Sequence, residues 1–178
     1  MTDDAGQTGD ADQAGDAGES RRVAERIIAK LTASHTTIAV AESLTGGLLT
    51  SALVDVPGAS AVLHGGVVTY DTALKHSMLG VDAVVLAAHG AVHPDVALQM
   101  AVGVRSALAV RGENAQIGLS TTGVAGPDPQ DGQEPGTVFI GLAIGHEVRY
   151  LPLTLEGDRD AVRRESVTRA LQFLEGFL

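Results

Sequence analysis

Cysteine is absent from the 178 residues, as is tryptophan. The first absence excludes disulfides, thiolate metal sites and a cysteine nucleophile. Aromatic residues make up 3% of the chain and the net charge is −10, so there is no basic, aromatic-studded stripe of the kind that holds nucleic acid. No run approaches the ~20 apolar residues of a membrane span. The N-terminus lacks the basic start and apolar core of a secretory signal, which predicts a cytoplasmic protein. The six histidines show no HExxH or similar spacing, so no metal site is expected, and no cofactor is called for.

What is present divides unevenly. Six of the 22 acids sit in residues 1–19 with no Lys or Arg, leaving 16 acids against 12 bases in the remainder. Residues 1–19 are otherwise Gly, Ala, Gln and Thr apart from Met1, too polar to offset the entropy of ordering. They predict a disordered acidic tail, and residues 20–178 predict a single domain, whose apolar content is ample for a core.

Ser20 reads as a helix N-cap, followed by Val23, Ile27, Ile28 and Leu31 at helical spacing. Buried strands are expected at 36–41, 61–70 and 116–121, and a hairpin at 137–144 and 147–155 turns over Gly145-His146. Gly65-Gly66 marks a bulge or a close backbone approach, and Pro152 places the last strand at an edge. Helices are expected around 48–53, 72–78, 82–90, from His93-Pro94-Asp95 onward, and after Gly157-Asp158. This alternation predicts a three-layer α/β/α sandwich whose mixed, mostly parallel sheet has about five strands, one of them antiparallel. Ligands in such sheets sit beyond the carboxyl ends of the strands.

Two loops at that edge carry candidate chemistry. In Ala41–Gly47 the hydroxyl of Ser43 stands where a strand turns into a helix, and Thr45, Gly46 and Gly47 offer backbone N–H groups to a phosphate or an oxyanion. The alternative is that Ser43 merely caps the helix. After the third strand, Thr122 and the backbone around Gly123 are placed to bind substrate oxygens, unless the loop is an ordinary turn. Between them Tyr70 ends a strand and Lys75 follows one helical turn later. A desolvated lysine there can act as a base, and a solvated surface lysine is the alternative. In the last helix Arg163 falls within the apolar stripe and Arg159 beside it. Such an arginine pairs with a buried carboxylate or grips a substrate phosphate or carboxylate. Asp128 and Asp131 read as a solvated rim.

AESLTGG at 41–47, GGVVTYDTALK at 65–75, HGAV at 89–92, TTGVAGPD at 121–128, GTV at 136–138 and GDRDAVRR at 157–164 follow one another in order. Together they closely resemble the C-terminal domain of the CinA family, the nicotinamide-nucleotide amidohydrolases, over about residues 20–178. The family's separate nucleotide-processing domain has no counterpart in these residues, which implies the stand-alone deamidase form. The resemblance implies deamidation of nicotinamide mononucleotide to nicotinate mononucleotide, with Ser43 as nucleophile. It maps the family's tyrosine and lysine to Tyr70 and Lys75, its hydroxyl residue to Thr122, and its arginine to Arg159. One departure is Leu44, where many members have cysteine, so a side-chain role there does not carry over. The expected partner is a small nucleotide, with neither nucleic acid nor membrane, in a homodimer or higher homo-oligomer. A non-catalytic phosphate-binding module and a scaffold protein are the rival readings.

Overall fold

The computed structural model describes residues 8–178, with side chains from Gly18 onward. The elements run α1 (Thr8–Ser34), β1 (Ile38–Glu42), α2 (Leu48–Val54), β2 (Leu63–Val68), α3 (Thr72–Leu79), α4 (Ala83–His89) and α5 (Pro94–Ala107). Then come β3 (Ile117–Gly123), β4 (Thr137–Ile144), β5 (Glu147–Thr154) and α6 (Arg159–Glu175). One five-stranded sheet forms in the order β2-β1-β3-β4-β5. β1 lies parallel to β2 and β3, whereas β4 is antiparallel to both β3 and β5. Four strands therefore share one direction and β4 alone is reversed, the mixed sheet expected. β5, with Pro152, is an edge strand.

The start of the first helix differs from expectation. α1 begins at Thr8, and Ser20 lies inside it rather than at its cap. The Ser20 hydroxyl is buried against the Thr168 hydroxyl of α6 at 2.6 Å, so a tertiary contact, not a capping bond, employs it. Of the expected acidic tail, residues 1–7 lie outside the described residues, and the backbone of 8–19 is helical.

The two faces of the sheet are packed differently. Ile38, Val40, Ile117, Leu119, Val138, Ile140 and Leu142 point to one side, where α1, α2 and α6 cover them. Ala39 and Ala41 point to the other, where α5 lies across the strands. There the residues must be small. A Cβ on Gly118 or Gly141 would run into the carbonyls of Ala101 or Ala97, and one on Gly103 into that of Leu79. Helix backbone thus rests almost directly on sheet backbone, which leaves no slack in the position of α5.

Gly65-Gly66 serves both expected purposes. The β1–β2 register slips beside Gly65, and a Cβ on Gly66 would overlap the Thr50 side chain. The result is that β1, β2 and β3 end side by side, and their following residues meet at one edge.

Candidate active site

Backbone bonds between neighbouring strand ends set the site. The Ser43 N–H donates to the Thr121 carbonyl at 3.0 Å, and the Thr69 N–H donates to the Glu42 carbonyl at 2.8 Å. Residues 43, 69 and 121 are thereby locked into one row. α3 then returns toward that row, its first turn capped by Asp71, whose carboxylate accepts from the Ala73 N–H at 2.8 Å. Lys75 and Leu79, one turn apart, form the inward side of α3, so the lysine projects under the strand tips.

The Lys75 Nζ donates to Ser43 Oγ at 3.1 Å and to the Thr69 carbonyl at 2.7 Å. Lys75 is fully buried and Ser43 is 8% exposed. Burial lowers the amine from its ordinary 10.5 to about 8, while the negative charges of Asp71 and Asp131 raise it. About a tenth of the amine is therefore neutral at pH 7, against well under a thousandth for an ordinary lysine. A neutral amine and a hydroxyl can reverse donor and acceptor at this heavy-atom distance, which is within reach for proton transfer.

Glu42, which the sequence reading passed over, explains how the Ser43 loop holds its shape. The N-cap of α2 is Gly47, in the left-handed region with φ 101° and with no side chain to cap the helix. The buried Glu42 carboxylate takes that place. It accepts from the N–H groups of Gly47 at 2.9 Å, Leu49 at 3.1 Å and Thr50 at 2.7 Å, and from the Thr50 hydroxyl. The positive end of α2 is thus already occupied by a carboxylate of this chain, so it is not an open phosphate site. A signal existed in the sequence: an acid four residues ahead of a Gly-Gly helix start with no Ser, Asp or Asn directly before it.

The N–H groups expected to serve an oxyanion are therefore differently placed. The Gly46 N–H donates to the Ser43 carbonyl at 3.2 Å and that of Gly47 to Glu42. The Thr45 hydroxyl is buried against the Thr121 hydroxyl at 2.8 Å. The N–H groups of Leu44 and Thr45 donate to no group among the described residues. Of the two, Leu44 directly follows Ser43 and lines the cleft, where a developing negative charge needs a donor.

Above Ser43 opens a cleft of about 320 Å³, lined by Ser43, Leu44, Tyr70, residues 91–92, residues 122–130 and Arg159. Its volume lies in the ~300–1,000 Å³ range of small-molecule sites. Among the described residues, Arg159 is the only cationic side chain in this lining. It donates to the Tyr70 hydroxyl at 3.0 Å and to the Gly126 carbonyl at 2.8 Å.

The structure brings Ser43 and Lys75 into contact, and Tyr70, Thr122, Gly123 and Arg159 into the same cleft. Tyr70 is bonded to Arg159 and not to the Ser43–Lys75 pair, so a proton relay through its hydroxyl has no geometric basis here. Thr122 donates its hydroxyl to the Ala91 carbonyl at 2.6 Å, fixing the opposite wall. Thr45, Gly46, Gly47 and Arg163 are not in the lining. Arg163 finds neither a carboxylate core partner nor the cleft; it donates to the carbonyls of Leu44 and Thr45, each at 3.0 Å. Asp131, expected on a solvated rim, is exposed but accepts from the Ala91 N–H at 2.7 Å. Among the described residues no three His, Asp or Glu side chains gather as a metal-ligating group, and no helix is long and apolar enough to cross a membrane.

The model of the CinA C-terminal domain matches residues 20–178. The CinA-like protein of Frankia casuarinae is 47% identical over 152 residues, which are 85% of this chain and 34% of that protein. The CinA-like protein of Dictyoglomus thermophilum is 39% identical over 159 residues, 88% of this chain and 38% of that protein. The chain thus spans about a third of the length of these curated relatives. Among solved structures, the competence/damage inducible protein CihA from Agrobacterium tumefaciens superposes with a TM-score of 0.81 at 33% identity, covering 88% of this chain and 93% of that one. A CinA superfamily protein from Escherichia coli gives a TM-score of 0.83 at 29% identity, covering 89% and 90%.

Proposed function

The chain belongs to the CinA family through its C-terminal domain, and from that membership we propose that it is a serine amidohydrolase deamidating nicotinamide mononucleotide to nicotinate mononucleotide. The observation that carries this reading is the buried contact between Lys75 Nζ and Ser43 Oγ at 3.1 Å. A binding module gains nothing from an amine held close to losing its charge beside a hydroxyl, whereas a nucleophile needs it. The substrate class comes from the motif resemblance, and Arg159 supplies the cation that a mononucleotide phosphate or a product carboxylate requires.

The reaction runs through an acyl-enzyme. Neutral Lys75 takes the Ser43 proton as Oγ bonds to the carboxamide carbon, and the oxyanion is met by the N–H of Leu44, which lines the cleft. Such a donor is worth about 3 kcal/mol in other hydrolases. Protonated Lys75 passes its proton to the amide nitrogen, the C–N bond breaks, and ammonia leaves. Water then adds to the acyl carbon while Lys75 accepts its proton. The C–Oγ bond breaks, Oγ regains a proton, and the acid ionises, so amide plus water gives carboxylate plus ammonium.

The test is ammonia release from nicotinamide mononucleotide by the purified chain, with and without a chelator, beside Ser43→Ala. The wild type is expected to turn over in both conditions, and the variant to lose activity on the order of 10⁴-fold with its fold intact. Wild-type rates in a folded Ser43→Ala protein end the proposal, and loss of wild-type activity in the chelator redirects it to a metal hydrolase.

A further inference from the structure

We infer that Arg163 is a positioning residue that sets the planes of the peptide bonds following Ser43, and thereby holds the Leu44 N–H that stabilises the oxyanion. The inference rests on the amidohydrolase reading above and assigns Arg163 to the loop rather than to the substrate.

The geometry is a two-pronged grip. Nε donates to the Leu44 carbonyl and Nη2 to the Thr45 carbonyl, each at 3.0 Å. In a planar trans peptide the C=O and the next N–H point in opposite directions. Holding the Leu44 oxygen toward α6 therefore turns the Thr45 N–H away from α6. Holding the Thr45 oxygen does the same for the Gly46 N–H, which donates to the Ser43 carbonyl at 3.2 Å. That bond fixes the Ser43–Leu44 peptide, and with it the Leu44 N–H beside the cleft. One guanidinium thus controls three successive planes.

The loop needs such a grip. Gly46 and Gly47 both have positive φ, 60° and 101°, so the backbone after Thr45 has little steric resistance to rotation of a peptide plane. A Cβ on Gly46 would stand only 3.2 Å from Arg163 Nη2, so the absence of a side chain at 46 is also what admits the guanidinium. Arginine suits the task because its rigid fork presents adjacent parallel donors, whereas a lysine ammonium cannot span two carbonyls in the same way. The remaining neighbour is Asp160, whose Oδ1 lies 4.0 Å from Nη1. Arg159, one turn earlier on α6, turns instead to the cleft.

The experiment measures kcat and KM for nicotinamide mononucleotide in wild type, Arg163→Ala, Arg163→Lys and Arg159→Ala, together with the backbone amide resonances of Leu44, Thr45 and Gly46. Arg163→Ala is expected to lower kcat about 100-fold, as a small misplacement of catalytic groups does, while KM stays within about threefold. Arg163→Lys recovers little of the rate. The three amide resonances shift or broaden, whereas that of Thr121 does not. A raised KM with kcat kept marks a substrate ligand and overturns the inference, as do unmoved amides. If Arg163→Ala does not melt cooperatively, Arg163→Gln, with one donor left, is read by the same criteria. If the wild type releases no ammonia, the functional reading fails by itself, and the amide resonances alone decide whether Arg163 sets the loop.

Discussion

Residues 43–47 and residues 124–136 both leave the sheet at the carboxyl ends of parallel strands, yet they are held in different ways. In the first, Glu42, Arg163 and Thr121 together engage the carbonyls of Leu44 and Thr45, the N–H groups of Ser43 and Gly47, and the Thr45 hydroxyl. Among the described residues, the backbone N–H groups of this loop with no acceptor are those of Leu44 and Thr45, and that of Leu44, in the cleft lining, is the one the proposed reaction would use. The second loop is longer, exposed over 128–132, and tied down at a few points. Arg159 holds the Gly126 carbonyl, Asp131 holds the Ala91 N–H, and Gln130 and Gln133 bond each other. The difference suits a division of labour: a preset loop for bond making, and a less constrained wall for the ligand.

The strongest way to break this comparison is at the amine beneath the first loop. Lys75→Met is expected to lower ammonia release about 10³-fold, as loss of a general base does. Its stability carries an opposite signature. The buried amine has a pKa of about 8 against 10.5 unfolded, so between these values the unfolded chain binds more protons, and wild-type stability falls as pH drops from 10.5 toward 8. Relative to wild type, Lys75→Met should therefore be more stable at pH 7 than at pH 10.5, by up to about 3 kcal/mol. Thermal melts across that range check it, and a difference that does not change with pH argues against a desolvated amine.

A smaller effect is expected where the second loop meets the cleft. Arg159→Ala removes the cation of the lining and should raise KM about 10- to 100-fold, the worth of one charge-assisted hydrogen bond. The rate constant should stay within about threefold. Steady-state kinetics with the mononucleotide decide this. A fall in kcat with KM unchanged would assign Arg159 to the chemistry and erase the contrast between the two arginines.

The smallest effect sharpens the one electrostatic link between the loops. The rate at subsaturating substrate should rise with pH as Lys75 loses its proton, with a midpoint near 8. The groups whose charge acts on this amine are Asp71, at the start of its own helix, and Asp131, from the second loop. Both raise it. Asp131→Asn should therefore move the rising limb toward lower pH, read from the pH dependence of kcat/KM. A limb that stays in place shows that the second loop contributes no field at the amine.

The sheet was largely legible because it rests on patterns that sequence carries. Pro152 located an edge, the hairpin pair reversed one strand, and Gly65-Gly66 marked a close approach. The motifs that suggested Ser43 and Lys75 also proved to meet in space. What escaped notice involves partners that leave no pattern. The bonds of Glu42 and Arg163 are mostly to backbone groups, which every residue possesses, so no complementary side chain announces them. A single lysine in an eight-residue helix has too little periodicity to reveal that it faces inward. Ser20 has the chemistry of a cap, and only the distant Thr168 shows why the helix passes through it.

Both border strands of the sheet carry an irregularity. Along β5, Pro152 brings no N–H to the ladder of donors that an incoming strand would need, and at the opposite border β2 carries a slipped register at Gly65. Both irregularities work against strand-by-strand extension of the sheet, because an added strand gains most from a flat border with every donor present.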